Sequence, residues 1–138
     1  MSRSGRAVVV LFVDGRVAVV KRWRPDVGSY AVLPGGGIED GETVEVAAVR
    51  EAMEELGVAV RVVETLFVEQ HEGSPHAYVR CELVAGTFGT GTGNEYTAER
   101  QATRGTYEAA LVDITDVEAI GLRPVWLRTR LPEWLSAR

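Results

Sequence analysis

The chain has 138 residues, of which 46% are hydrophobic and 25% are charged, and its formal net charge is −5. This composition provides the apolar material for one compact soluble domain, so we expect a single domain over residues 1–138. The acidic balance, with a pI near 5.1, disfavours nucleic acid as a partner, because nucleic-acid-binding domains neutralise several phosphates with Lys and Arg. No apolar run approaches the roughly 20 residues that span a membrane, so no membrane partner is expected.

The first residues and the cysteine content favour a cytoplasmic location. Residues 1–6 lead into an apolar run without the small-residue cleavage site of a signal peptide. Cys81 is the only cysteine of the sequence, so an intramolecular disulfide is impossible. Its position inside an apolar run indicates packing rather than nucleophilic catalysis.

The first third of the chain predicts strands joined by tight turns. Ala7–Val13 and Val17–Val20 are apolar runs, and the Asp14-Gly15 pair between them is a hairpin signal. A short strand is expected around Tyr30–Leu33, and a glycine run then leads towards a helix.

That helix is predicted from Val44 to Leu56, a segment without Gly or Pro that is rich in helix-forming residues. Thr43 can cap its N-terminus, and Gly57 supplies a C-terminal stop. At about 100° per residue, one side collects an apolar stripe that we expect to face a core: Val46 at its margin, Ala48, Val49, Ala52, Met53 and Leu56. The other side collects Glu51, Glu54 and Glu55.

The remaining segments alternate between strand and helix signals. Strands are expected over Val58–Gln70, His76–Ala85 and Tyr107–Val112, a short helix in Asp113–Glu118, and a C-terminal helix within Arg123–Ser136 that breaks near Pro132. Gly86–Gly105 lacks periodicity, which is typical of a functional loop. Strands with intervening helices predict an α/β layered domain.

The three glutamates of the predicted helix are crowded, because residues three and four apart lie roughly 5–6 Å from each other on a helix surface. No Lys lies within the cluster. A hard divalent cation such as Mg²⁺ would relieve the repulsion, since it takes one or two carboxylates together with phosphates and waters. A solvated acidic face is the alternative, and on spacing alone it is the more common outcome.

The residues around the cluster extend the pattern. Leu33-Pro34-Gly35-Gly36-Gly37 precedes the helix, and glycines let backbone groups approach a metal or a phosphate closely. The motif G-x5-E-x7-R-E-U-x-E-E-x-G-U, in which U is aliphatic, is then matched at every polar and glycine position by Gly36, Glu42, Arg50, Glu51, Glu54, Glu55 and Gly57. That motif is the Nudix box. The chain therefore resembles the Nudix hydrolase superfamily, as a small MutT-like member, with Ala52 as a mild departure where a larger aliphatic residue is usual.

The resemblance implies a fold, a reaction and a set of ligands. The fold is an α/β/α sandwich with a mixed β-sheet. The reaction is cleavage within the diphosphate or polyphosphate of a nucleoside diphosphate linked to another group, with Mg²⁺ as the cofactor and Mn²⁺ as an alternative. The implied metal ligands are Glu51, Glu54, Glu55 and the backbone carbonyl of Gly35. Arg50 would position the carboxylates by bidentate hydrogen bonds, and Glu42 could do so through the loop that begins at Gly36.

The resemblance leaves two interpretations of which residue is the general base. In some members of the superfamily the glutamate at the position of Glu51 activates water, whereas in others a glutamate outside the box does so. Glu95 and Glu99, in the Gly86–Gly105 loop, are therefore candidates for the base or for a further metal ligand. Glu51, Glu54 and Arg50 are the expected catalytic residues within the box.

Candidate substrate contacts lie after the second strand. Arg22 and Arg24, with Lys21, could meet phosphates, and Tyr30 or Trp23 could stack on a base. The expected substrate is a small nucleotide-type molecule: a nucleoside triphosphate, a nucleotide sugar or a dinucleotide.

Two alternatives concern the protein as a whole. A Nudix-fold module that binds a nucleotide without cleaving it is the alternative function, and the intact box glutamates favour the enzyme. The Trp-containing C-terminal segment could support a homodimer or could pack on its own sheet.

Overall fold

The computed structural model describes residues 5–88 and 106–137. In chain order, the strands are β1 (Arg6–Val13), β2 (Arg16–Arg24), β3 (Gly28–Val32), β4 (Gly35–Gly37), β5 (Val58–His71), β6 (Ser74–Gly86), β7 (Thr106–Asp113) and β8 (Leu122–Arg123). The helices are α1 (Val44–Leu56) and α2 (Leu127–Ser136), with a 3-10 turn at Ile114–Asp116. Within these described ranges no helix has the length and apolar character to cross a membrane.

The strands form a mixed, curled sheet. β5, β6, β1, β2, β3 and β8 follow one another across it, while β4 pairs with β1 and β7 pairs with β2. The β1–β6 and β3–β8 pairs are parallel, and the other pairs are antiparallel. β1 pairs with β2 near their shared turn, where Phe12 lies opposite Val17. Near the start of β1, strand β4 pairs with the same edge of β1 that β2 pairs with further along. The glycine strand β4 (Gly35–Gly37) is therefore held beside β1.

Alternate residues of each strand pack on opposite faces of the sheet, as the two-residue period of a strand requires. On β1, Ala7 and Val9 belong to the core beneath α1, whereas Val8 and Val10 belong to the core beneath α2. The α1 core also contains Leu11, Ala18, Ala47, Ala48, Ala52, Leu56, Val58, Val60, Ala77, Val79 and Cys81. The α2 core also contains Val17, Val19, Ala31, Leu33, Tyr78, Val112, Val117, Leu122, Leu127, Leu131 and Trp134. These two cores confirm the predicted α/β/α sandwich with a mixed sheet.

Helix α1 has the predicted bounds, and both of its ends carry the expected caps. The Oγ1 atom of Thr43 accepts a hydrogen bond from the Val46 N–H at 3.1 Å. At the other end, Gly57 adopts a left-handed conformation with φ of 77°, and its N–H donates to the Met53 carbonyl. These local signals fix where the box helix starts and stops.

Thr43→Ala is expected to lower the free energy of unfolding by about 1 kcal/mol, because the substitution removes the hydrogen-bond acceptor of the N-cap. Thr43→Ser keeps that acceptor and should retain most of the stability. Urea denaturation followed by circular dichroism measures both. Equal unfolding midpoints for the alanine variant and the wild type would contradict the assigned cap.

The orientation of α1 corrects the predicted apolar face. Its buried residues are Ala47, Ala48, Glu51, Ala52, Glu55 and Leu56. Val46, Val49 and Met53 are 53%, 39% and 47% exposed, so the prediction that Val49 and Met53 face a core is wrong. The helix is rotated so that alanines rest on the sheet, and this rotation turns Glu51 and Glu55 towards β4 instead of away from the core.

The C-terminal helix corrects a second prediction. α2 begins at Leu127 and continues through Pro132 without the expected break. Proline removes the hydrogen bond to the carbonyl four residues earlier. Leu131 and Trp134 are buried on either side of Pro132, so packing on the sheet holds the helix together across the missing bond.

Candidate active site

Strand β4 consists of glycines that lie between β1 and α1. Gly35 and Gly36 lie opposite Val8 and Ala7 of β1. A Cβ atom on Gly35 would collide with the Ala7 carbonyl oxygen, and a Cβ atom on Gly36 would collide with the carboxylate of Glu51. Glycine at both positions therefore allows the backbone of β4 to lie in direct contact with β1 and with a helix carboxylate.

Two glutamates of α1 lie against this strand. Glu51 and Glu55 are 7% and 8% exposed, and the Gly35 N–H donates to Oε2 of Glu55 at 3.1 Å. The Glu54 side chain is 37% exposed. The part of the box on α1 thus combines two buried carboxylates with one that solvent reaches.

Arg50 connects these carboxylates to the preceding loop. Its Nε and Nη2 atoms donate to Oε2 and Oε1 of Glu42 at 2.7 and 2.9 Å, as a bidentate pair. Nη1 donates to Oε2 of Glu51 at 2.9 Å and to Oε2 of Glu54 at 3.2 Å, and Nη2 also donates to the Gly37 carbonyl at 2.9 Å. One guanidinium therefore holds three box carboxylates and one backbone carbonyl.

The Arg50–Glu42 pair is fixed in its charged form. Hydrogen bonds from Arg50 and from the Glu39 N–H lower the pKa of Glu42 to about 2. The same contact with Glu42 raises the pKa of Arg50 above its ordinary value. Glu42 is consequently a permanent counterion of Arg50 at neutral pH.

The donor chemistry of the box fits a hard divalent cation. In the described part of the chain, no three His, Cys, Asp or Glu side chains form a complete metal-binding group. Glu51 and Glu54 instead accept from Arg50, and Glu55 accepts from Gly35. Two buried carboxylates and a backbone carbonyl nevertheless match the usual protein share of a Mg²⁺ site, because Mg²⁺ completes its octahedron with waters and phosphate oxygens.

Gly36→Ala is expected to reduce the hydrolysis that the box motif predicts roughly 10- to 100-fold, because the new Cβ must displace the Glu51 carboxylate from its hydrogen bond with Arg50. Gly37→Ala is a matched control, since a Cβ at that position meets no described atom within 4 Å. Initial rates and melting temperatures of the two variants measure the effect. Equal rates for both variants would contradict the required close contact between Gly36 and Glu51.

The predicted substrate residues Arg22 and Tyr30 lie side by side with Tyr107. The Arg22 guanidinium lies 4.2 Å from the ring centre of Tyr107 and 5.5 Å from that of Tyr30. Its Nη2 atom donates to the Tyr107 hydroxyl at 2.5 Å. Tyr30 is 8% exposed, and the Arg123 guanidinium also lies over its ring, at 4.8 Å. Tyr30 is therefore a buried partner of two arginines.

The other candidates of this region are accessible to solvent. Arg24 forms an exposed ion pair with Asp26 at 3.4 Å. Trp23 is 47% exposed, so of the two predicted stacking residues Trp23 is the one whose ring a ligand can reach. Arg24 is less suited to phosphate binding, because a carboxylate already lies beside it.

A cavity of about 410 Å³ adjoins these residues. Its lining consists of Lys21, Arg22, Trp23, Ser29, Tyr30, Glu108, Glu118, Ala119, Ile120 and Gly121. No Nudix-box residue is among them. Glu108 lies opposite Lys21 in the β2–β7 pair, a contact that the sequence could not predict, because nothing in the Gly86–Gly105 segment indicates the register of the strand that follows it.

One further contact of β4 was also missed. The Nη2 atom of Arg6 donates to the Gly35 carbonyl at 3.4 Å. Arg6 precedes an apolar run, and no role was predicted for it. No local sequence signal indicates this contact, because Arg6 and Gly35 are 29 residues apart in the chain.

Two kinds of predicted residue remain, the loop glutamates and the cysteine. Glu95 and Glu99 lie outside the described residues. Cys81 is buried, and burial raises the pKa of its thiol to about 12. A thiol in this state is not a nucleophile at neutral pH, in agreement with the predicted packing role.

Comparison with known proteins identifies the family. The NUDIX domain model matches residues 1–128, so this chain belongs to the Nudix domain family, as its box predicted. The RNA pyrophosphohydrolase of Novosphingobium aromaticivorans is 37% identical over 94 residues, which cover 68% of this chain and 55% of that protein. The ADP-sugar pyrophosphatase of Mus musculus is 51% identical over 49 residues, which cover 35% of this chain and 22% of that protein. The chain thus spans about half or less of these relatives.

A solved structure shows the same fold. A structure from work on MutT of Aliivibrio salmonicida and Vibrio cholerae matches with a TM-score of 0.68 at 20% identity. The match covers 96% of this chain and 99% of that one. The fold therefore agrees with the predicted MutT-like architecture.

Proposed function

We propose that this chain hydrolyses a phosphoric anhydride bond in a nucleoside diphosphate linked to another group, with Mg²⁺ or Mn²⁺ as its metal. The observation that carries the proposal is the burial of Glu51 and Glu55 against the glycine strand. Burying carboxylates is unfavourable unless cations balance them. The box contains one Arg and a larger number of Glu residues, so a divalent cation at this position would both balance the charge and attract phosphates.

Each residue of the box would have its own role in the proposed hydrolysis. A bound metal ion would acidify a water molecule and neutralise phosphate oxygens. Glu51, Glu55 and the Gly35 carbonyl would hold the ion on oxygen donors, with the exposed Glu54 as a further ligand. Arg50 would hold these carboxylates in position through its hydrogen bonds. The proton of the attacking water would pass to Glu51 or to one of the loop glutamates, Glu95 or Glu99.

The cavity beside β2 is the proposed site for the nucleoside or for its attached group. Trp23 offers an exposed ring for stacking, Lys21 a cation, and Glu108 and Glu118 acceptors for exocyclic amines. The relatives are named for RNA and for ADP-sugars, so a 5′-phosphorylated RNA end is a second candidate substrate. The acidic net charge favours the small nucleotide.

A substrate panel tests the function of the full chain. Nucleoside triphosphates, ADP-sugars, dinucleoside polyphosphates and a short 5′-triphosphate RNA are incubated with Mg²⁺ or Mn²⁺, and the products are separated by chromatography. We expect turnover of at least one compound, and its loss on addition of a chelator. Nucleotide binding without any turnover across the panel would overturn the enzyme proposal and support a binding module.

A further inference from the structure

Arg6 is the first residue of β1, which lies between β4 of the box and β6. It lies opposite Gly37 on β4 and opposite His76 on β6. Strand alternation places its side chain on the face of Val8, beneath which the α2 core lies. Its guanidinium nevertheless reaches the Gly35 carbonyl, the oxygen that the proposed function assigns to the metal.

All the N–H groups of Arg50, the other arginine of the site, already donate hydrogen bonds. A guanidinium carries five N–H groups, and those of Arg50 are engaged with Glu42, Glu51, Glu54 and Gly37. Arg50 therefore stabilises the box and is not available to bind a substrate. A diphosphate group would bring additional negative charge to a segment that is already acidic.

Among the residues that the structure describes, Arg6 differs from Arg50 in having N–H groups without an acceptor. Within residues 5–88 and 106–137, its side chain donates to the Gly35 carbonyl, and no carboxylate lies within ion-pair distance of it. The positive charge of Arg6 also acts on a neighbouring side chain. Burial lowers the pKa of His76, and the charge of the nearby Arg6 lowers this pKa further. Arg6 is thus a cation beside a proposed metal ligand, and the described part of the chain leaves most of its N–H groups without an acceptor. Such a group is suited to binding a phosphate.

We propose that Arg6 is a phosphate-binding residue, whose guanidinium holds non-bridging oxygens of the substrate diphosphate at Gly35. The inference rests on the proposed function for its substrate class. The planar guanidinium can bind two phosphate oxygens at once, which an ammonium group cannot do with the same geometry. Arg6 thereby fixes the diphosphate from the β1 side, opposite the carboxylates of α1.

Binding of a non-hydrolysable nucleotide tests this role without relying on turnover. Calorimetry measures the affinity of the wild type, Arg6→Ala and Arg6→Lys for α,β-methylene-ADP and for adenosine, with and without Mg²⁺. We expect the alanine variant to bind the diphosphate analogue roughly 10- to 100-fold more weakly, with an intermediate value for lysine. The affinity for adenosine, which has no phosphate, should stay within about twofold. Arg61→Ala is the control, because Arg61 pairs with Glu82 on an exposed surface.

The outcomes separate the two proposals. Turnover by the wild type together with equal analogue affinities for wild type and Arg6→Ala would overturn the role of Arg6 and leave the function intact. Loss of analogue affinity in the alanine variant of a chain without turnover would support Arg6 and overturn the hydrolase. An equal loss for adenosine and for the analogue would indicate a structural role and also overturn the inference. If the alanine variant is unfolded, a comparison of Arg6→Gln with Arg6→Lys decides by the same criteria.

Discussion

Glu55→Gln is expected to lower the kcat of the proposed hydrolysis at least about 100-fold while leaving the fold intact. Glu55 is buried beside Glu51, and its Oε2 atom accepts from the Gly35 N–H. A glutamine keeps an oxygen that can accept this hydrogen bond, so the position of β4 is preserved. It removes the negative charge that a divalent cation requires, so the loss falls on the metal and on the rate.

The substitution has a control on the same helix. Glu45→Gln makes the same chemical change in the first turn of α1, at an exposed position that the box motif leaves unspecified. Each protein is assayed at saturating substrate, and its melting temperature is measured with and without Mg²⁺. Wild type and Glu45→Gln should gain stability from Mg²⁺ by linkage, whereas Glu55→Gln should gain little. A Glu55→Gln variant with more than about a third of the wild-type rate would contradict the proposed role of Glu55 as a metal ligand.

Arg50→Ala is expected to destabilise the protein by about 3 kcal/mol and to abolish detectable hydrolysis, because it leaves partly buried carboxylates without their cation. Glu42 and Glu51 both lose a hydrogen bond shorter than 3 Å. Arg50→Lys keeps the charge but cannot form the bidentate pair with Glu42 while also reaching Gly37. It should recover part of the stability and little of the activity. Urea denaturation and initial rates measure both variants.

The pH dependence of this effect follows from Glu42. Its folded-state pKa is lowered from 4.5 to about 2, chiefly by the hydrogen bond from Arg50. Ionised Glu42 therefore favours the folded state above its unfolded pKa, and this contribution is lost as the pH falls through about 2. The stability difference between wild type and Arg50→Ala should consequently shrink between about pH 5 and pH 2. A difference that stays constant over that range would show that the Arg50–Glu42 pair does not stabilise the fold.

The sequence predicted the elements whose signals are local. Thr43 and Gly57 mark the ends of α1, and both cap it as predicted. The Asp14-Gly15 hairpin also forms, with Val13 opposite Arg16. Turn and cap chemistry depends on a few neighbouring residues, so a single sequence contains it.

The sequence did not predict which way α1 faces. Hydrophobicity favoured Val49 and Met53 as inward residues, yet alanines and two glutamates are buried in their place. Burial of glutamates becomes favourable through Arg50 and through a backbone amide of β4, and these partners come from the tertiary structure. The contact of Arg6 with Gly35 was hidden for the same reason, because it depends on which strand lies beside β1.

The alanine face of α1 has a consequence for the ion that the proposed metal site would select. Ala47, Ala48 and Ala52 are fully buried, so the helix is separated from the sheet by methyl groups, and the size of interface side chains sets such spacings. Glu51 and Glu55 belong to the same rigid helix, and their height above Gly35 is therefore set jointly by these methyl groups. A larger side chain at Ala52 would lift both carboxylates at once and widen the gap that a small cation must bridge. Discrimination between ions of different radius would then be governed by residues that never touch the ion.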